Sequence, residues 1–211
     1  PGTLILSGKW EASPEKILLP TCLFGYWTRI LLWDLSINTI KAITAIASKK
    51  IRIINIGDIA PNFNLDIIAN GLGTFQLSDY TDKIVVLAFF APNWPVCSPE
   101  LSDMETAVWQ SFGSDEVIVV GIANTNNQNI INNFVSENSL TFPILYDSGS
   151  PGGVQGGDVY DLYYMPNDGS PYPRDFVINQ DGIISYANNE IDTALMLSVI
   201  HDLLSENILL G

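Results

Sequence analysis

Two apolar runs, Ile84–Phe90 (IVVLAFF) and Val117–Ile122 (VIVVGI), constrain the fold more than any other feature of this chain. Each is continuous rather than alternating, which is the pattern of a strand buried on both faces of a parallel sheet. Between them Leu101, Met104, Val108 and Phe112 recur at helical spacing, predicting a crossover helix of about four turns. Strand, helix and strand make a βαβ unit.

The chain beyond this unit continues in the same style. Ile130, Ile131, Phe134 and Val135 predict a core-facing helix over Asn129–Ser136, followed by a short strand in Phe142–Tyr146. Residues 148–173 gather Gly, Pro and Tyr and read as a long loop, too long for a plain connection in a compact domain. Two strands, Asp175–Asn179 and Ile183–Tyr186, flank Gln180-Asp181-Gly182, a hairpin turn signal. A helix over Ile191–Asn207 closes the chain, with Leu195, Val199 and Leu203 assigned to its inner face. These elements in this order describe a thioredoxin-like α/β fold, a mixed β-sheet flanked by helices on both faces.

Residues 1–54 differ in texture. They carry Trp10, Trp27 and Trp33, apolar clusters around Leu18 and Leu31, and a basic patch at Lys49, Lys50 and Arg52. They read as an N-terminal extension to a domain over 55–211. Two uses stand open: extra elements packed on that domain, or an arm that docks on a partner or on a second copy to make a homo-oligomer.

Composition removes whole classes of function. Nine Lys and Arg against 23 Asp and Glu give a net charge of −14; nucleic acid is excluded as the main partner, since its binding rests on clustered cations. One histidine and two cysteines exclude metal sites built from several such ligands, and no cofactor is expected. A Ser-His-Asp triad would need His201, which reads instead as a surface residue of the last helix. The stretch Ile17–Trp33 is broken by Pro20 and Arg29 and followed by Asp34, so no membrane span is expected; no basic segment leads it, which fits a signal peptide poorly. Gly149–Gly157 lacks the Lys-Ser/Thr of a phosphate-binding loop, and Asp147, Asp158, Asp161 and Asp168 lack the spacing of a calcium loop.

Chemistry concentrates at Ala88–Leu101 (AFFAPNWPVCSPEL), where Cys97 falls at the junction of a central strand and its following helix. A helix N-terminus presents unpaired N–H groups and the positive end of a dipole, which favour a thiolate. Glu100 and Asp103 in the first turns of the same helix favour the neutral thiol. A reactive thiol and a small buried apolar residue both remain open for Cys97.

Several stretches together resemble the redoxin branch of the thioredoxin superfamily, which contains the AhpC/TSA peroxiredoxins and the TlpA/ResA-like thiol–disulfide oxidoreductases. They are Ile56–Phe63, Leu77–Tyr80, Phe89–Leu101, Val119–Ile122, Phe142–Asp147 and Phe176–Gly182. The resemblance covers roughly residues 56–205. It implies that Cys97 is the catalytic cysteine, with Pro92 and Trp94 beside it on the substrate side. It also implies that Pro173 is the cis-proline facing that cysteine, and that Arg174 lies one residue beyond the place where peroxiredoxins carry a thiolate-stabilising arginine. The sequence departs from both branches at Trp94, which stands where the TlpA-like proteins have the first cysteine of their pair and the peroxiredoxins have threonine. A dithiol cycle within the motif is therefore lost, since it needs a second thiol, and so is the hydroxyl that positions peroxide. Cys22 could resolve an oxidised Cys97, or the two cysteines could form a structural disulfide or stay free.

Two functions follow from the resemblance. One is a thiol-based oxidoreductase reducing peroxide, or exchanging with a protein disulfide, through Cys97 at the expense of a thiol reductant. The other is a catalytically inactive thioredoxin-like binding or assembly module in which Trp94 plugs the site. Exported TlpA-like relatives and a surface poor in charge point to an extracytoplasmic setting, periplasmic or secreted.

Overall fold

The computed structural model describes residues 53–147, 157–165 and 171–210. Expectations that rest on residues 1–52, Cys22 among them, lie outside the described residues.

Seven strands form one mixed sheet: β1 (Asn64–Ala69), β2 (Thr74–Gln76), β3 (Ile84–Phe90), β4 (Val117–Ala123), β5 (Ile144–Tyr146), β6 (Arg174–Ile178) and β7 (Ile184–Asn188), in the spatial order β2-β1-β5-β4-β3-β6-β7. β3, β4 and β5 run parallel, and antiparallel pairs extend the sheet to either side. Every residue of β3 and β4 is buried, as continuous apolar runs at a sheet centre require. At the hairpin between β6 and β7 the Asn179 side-chain oxygen accepts from the amides of Asp181 and Ile183, and Gly182 takes φ +75°, a backbone region open to glycine without strain.

Helices cover both faces. The expected crossover helix begins as α1 (Cys97–Met104), passes through a π-helical stretch over Glu105–Trp109, and closes with a turn at Gln110–Phe112. The Gln110 amide reaches back to the Glu105 carbonyl, five residues away. The Glu105 carboxylate is buried there and accepts from the Thr141 amide and hydroxyl and from the Gln110 side chain. The second helix, α2 (Gln128–Glu137), stacks Phe134 on Phe90 with ring centroids 5.1 Å apart. Since side chains alternate along a strand, α2 lies on the Phe90 face of β3. The Phe89 face carries α3 (Asp158–Leu162), whose Tyr160 meets Phe89 edge-on at 6.0 Å. The last helix, α4 (Thr193–Leu210), packs against α1, β6 and β7. Among the described residues, no helix is long and apolar enough to cross a membrane.

Three expectations need correction, and one element was not anticipated. The strand assigned to Phe142–Tyr146 starts at Ile144, because Pro143 has no N–H to give to the ladder. The tract read as loop contains α3. It forms because the buried Asp147 carboxylate accepts from the amides of Val159 (3.2 Å) and Tyr160 (2.7 Å), which lie at the start of the helix. The inner face of α4 is set by Met196 and Ile200, with Val199 and Leu203 flanking, while Leu195 is 50% exposed. Finally, β1 and β2 form a hairpin at one end of the sheet that the periodicity argument did not predict.

Candidate active site

The loop Ala91–Val96 carries the chain from the end of β3 to the start of α1. It folds as two successive turns, in which the Trp94 amide donates to the Ala91 carbonyl (2.9 Å) and the Cys97 amide to the Trp94 carbonyl (3.0 Å). These bonds deliver Cys97 to the first position of α1. The helix is anchored one residue later: the hydroxyls of Ser98 and Ser102 both donate to the Asn138 side-chain oxygen at the end of α2, and the Asn138 amide nitrogen donates to the Phe134 carbonyl.

Cys97 is a free thiol with no solvent exposure. Burial pushes the thiol up to about 12, a backbone hydrogen bond from Ala91 pulls it down, and the charges of Glu100 and Asp175 push it up again. The helix N-terminus expected to favour the thiolate is in place. Loss of solvation outweighs it.

Glu100 sits one turn further along α1 and Asp175 on β6, each 1% exposed. The register pairs Asp175 with Ala88 of β3, which places it on the same sheet face as Phe90, under α1. No donor reaches Glu100 Oε1, Glu100 Oε2 or Asp175 Oδ1. A hydrogen bond between the two carboxyls therefore exists only while one of them holds a proton. Burial raises Glu100 to about 7, with its hydrogen bond to Asp175 acting the other way. Asp175 is raised well above the usual carboxylate range by burial, by the charge of Glu100 and by donating to it. Tyr186 of β7 also feels the pair: burial raises its phenol to about 12, Asn188 opposes, and Asp175 and Glu100 are among the charges that add to the shift.

Of the residues expected at the site, Pro92 and Trp94 lie half-buried in the loop, with the Trp94 ring packed on the core. Pro173 is buried, and the Tyr172–Pro173 peptide is cis. Arg174 is a correction. It pairs with Phe89 and so faces away from α1; its guanidinium lies 3.7 Å above the Tyr160 ring and donates to the carbonyls of Tyr160 and Tyr163. Adjacent strand residues point to opposite faces, so Arg174 and Asp175 separate a cation from the thiol and leave a carboxyl beside it. Asp103 is exposed and is not among the charges acting on Cys97. His201 is exposed, its ring against Phe112. Among the described residues, no group of three or more His, Cys, Asp or Glu is arranged to hold a metal ion.

Sequence reasoning named Glu100 but missed Asp175 and the buried Tyr172, whose phenol burial pushes up and which lies near enough to feel Cys97. The signal for Asp175 was present, because a carboxylate opens an otherwise apolar strand, DFVI.

Residues 56–187 match the AhpC/TSA family. The thiol-disulfide oxidoreductase ResA of Oceanobacillus iheyensis is 30% identical over 135 residues, covering 63% of this chain and 64% of that protein, so the match spans less than two thirds of the relative's length. A Bacteroides thetaiotaomicron structure described as a protein disulfide isomerase superposes with a TM-score of 0.62 at 22% identity, covering 72% of this chain and 92% of that one. A yeast mitochondrial 1-Cys peroxiredoxin superposes with a TM-score of 0.55 at 23% identity, covering 74% and 78%. At these identities the two structures are likenesses of fold.

Proposed function

The chain belongs to the AhpC/TSA family, and from that premise we propose that it is a thiol–disulfide oxidoreductase working through one cysteine, Cys97. The observation that carries this reading is the pair of buried carboxyls beside the thiol. Two buried carboxyls that no other group serves with a donor destabilise a folded domain. Strongly shifted titratable groups clustered around a potential nucleophile are the mark of a working site.

In the proposed reaction the Cys97 thiol gives its proton to the Glu100 carboxylate, and the sulfur attacks one sulfur of a substrate disulfide. A Cys97–substrate disulfide forms, the substrate S–S bond breaks, and the departing thiolate takes up a proton. A second thiol, from a thiol reductant, then attacks the mixed disulfide and returns Cys97 to the thiol. Disulfide is the better substrate than peroxide on this geometry. Trp94 supplies no hydroxyl, and Arg174, the cation that would hold a thiolate ready, is committed to Tyr160 and Tyr163. Because Cys97 has no exposure, each cycle includes a local opening of the Ala91–Val96 turns. An extracytoplasmic setting, where disulfides persist, accompanies this reading.

The test uses a Cys22→Ser background and 2-hydroxyethyl disulfide under native conditions. The proposal expects a mixed disulfide on Cys97, found by mass and reversed by a small thiol. The second reading, a binding module, draws on the full burial of Cys97 and the half-buried Trp94 ring; it expects the thiol to stay unmodified until the protein is denatured.

A further inference from the structure

The cations of this chain are distributed unevenly. Seven of the nine Lys and Arg precede Ile53, leaving Lys83 and Arg174 against twenty Asp and Glu in the rest. Neither of those two serves the cysteine. Arg174 is buried on the opposite sheet face. Lys83 precedes β3, while Cys97 follows its far end, a strand length of roughly 20 Å, and the Lys83 ammonium donates to the Ser114 carbonyl at 2.8 Å. The charged groups that do act on the thiol are acidic: Glu100 from its own helix and Asp175 from β6. Glu100 Oε1 and Oε2 and Asp175 Oδ1 are buried there, and no group outside the pair donates to them.

We infer that Cys97 reacts selectively with disulfides carried by cationic partners, peptides or proteins with Lys or Arg beside the half-cystine. This rests on the proposed exchange activity and names its substrate class. The physical reason is that a thiolate formed next to a carboxylate is opposed by like charge, and the low dielectric of a buried site magnifies the opposition. A substrate that brings an ammonium or guanidinium to Cys97 when the Ala91–Val96 turns open supplies, as the S–H bond ionises, a counter-charge that none of the described residues provides there. The same substrate is drawn in at long range by the acidic surface of the domain. The step itself balances as before: the Cys97 sulfur is oxidised to the mixed disulfide, one substrate sulfur is reduced to a thiol, and the thiol proton passes through Glu100 to the leaving sulfur.

The test compares three small disulfides of different charge on the full chain carrying Cys22→Ser: cystamine (dicationic), 2-hydroxyethyl disulfide (neutral) and dithiodiglycolate (dianionic). Each second-order rate is divided by the rate of 2-mercaptoethanol with the same disulfide, which removes intrinsic reactivity. The inference expects cystamine to exceed the neutral disulfide by at least about tenfold and the dianion to fall below it. It also expects raising NaCl from about 0.05 to about 0.5 M to erase part of the cystamine advantage, and the Glu100→Gln/Asp175→Asn variant to lose most of it. Equal normalised rates for the three disulfides would overturn the charge selectivity and leave the exchange activity standing. Failure of all three to modify the native protein, with reaction only in denaturant, would overturn both.

Discussion

Glu100 on α1 and Asp175 on β6 hold two buried carboxyl groups against each other near Cys97, each 1% exposed, and burial raises both above the usual carboxylate range. This pair separates the site from a plain buried cysteine, and most of the measurable consequences follow from it.

Removing one charge lowers the thiol pKa without normalising it. Burial is the largest cause of the rise to about 12, and Glu100 is a smaller one. Glu100→Gln is therefore expected to lower the Cys97 pKa and leave it above the ordinary value near 8.5, as read from the pH dependence of alkylation. A fall to the ordinary value would show that charge, not burial, dominates.

Stability should decline as pH rises through the range of Glu100. Its folded value, about 7, stands above the ordinary 4.5, so the folded protein holds a proton that the unfolded chain has released. The stabilisation is complete below about pH 4.5 and is lost as pH approaches 7. By linkage the full effect is on the order of 3 kcal/mol. Urea titrations at pH 5 and pH 8 measure it, and Glu100→Gln should flatten the difference. A protein more stable at pH 8, with the slope surviving the substitution, would contradict this assignment.

Arg174 is assigned to structure. Its guanidinium ties β6 to α3 through the carbonyls of Tyr160 and Tyr163 and through the Tyr160 ring. Arg174→Lys keeps the charge but loses the planar fork, and a loss of about 1–3 kcal/mol is expected. The pH profile of Cys97 alkylation should stay within about half a unit of the parent. A larger shift would return Arg174 to the thiol.

Gly157 tests how α3 is built. A Cβ at this position would overlap the Asp147 carboxylate, which accepts from the first amides of the helix. Gly157→Ala should cost about 2 kcal/mol or more in thermal or denaturant unfolding, whereas a change under about half a kcal/mol would mean that Asp147 moves aside freely.

Trp94→Cys restores a second thiol three residues before Cys97, across the turn closed by the Cys97 amide and the Trp94 carbonyl. In the Cys22→Ser background this variant should form an intramolecular disulfide and reduce protein disulfides in a two-thiol cycle that the Cys22→Ser protein lacks. Titration of free thiols before and after mild oxidation reads the result; two thiols persisting after oxidation would show that the turn holds the sulfurs apart.

The parts of this fold that the sequence disclosed are those in which one periodicity dominates. The unbroken runs at Ile84–Phe90 and Val117–Ile122 could only be central strands, and the helix between them followed from Leu101, Met104, Val108 and Phe112. The hairpin of β1 and β2 escaped because its strands are short and half-exposed, so their pattern is weak. α3 escaped because five residues carry little periodicity and its stability comes from Asp147, ten or more residues earlier. Cys97 was found from its place after a strand, and Glu100 from its place in the first turn. Asp175 was not found, because whether a strand residue faces a helix or the opposite layer depends on register. One step along β6 exchanges Arg174 for Asp175 at the thiol and reverses the electrostatics of the site.

The central claim is that Cys97 is a slow but competent thiol in the folded protein. The most direct measurement is its rate of reaction with methyl methanethiosulfonate in the Cys22→Ser protein from pH 6 to 11, with the global unfolding rate determined alongside. The account predicts complete modification at a rate well above that of unfolding, rising with pH without levelling below about pH 10. Modification only at the rate of global unfolding, at every pH, would contradict it and leave a buried, unreactive residue in a binding module.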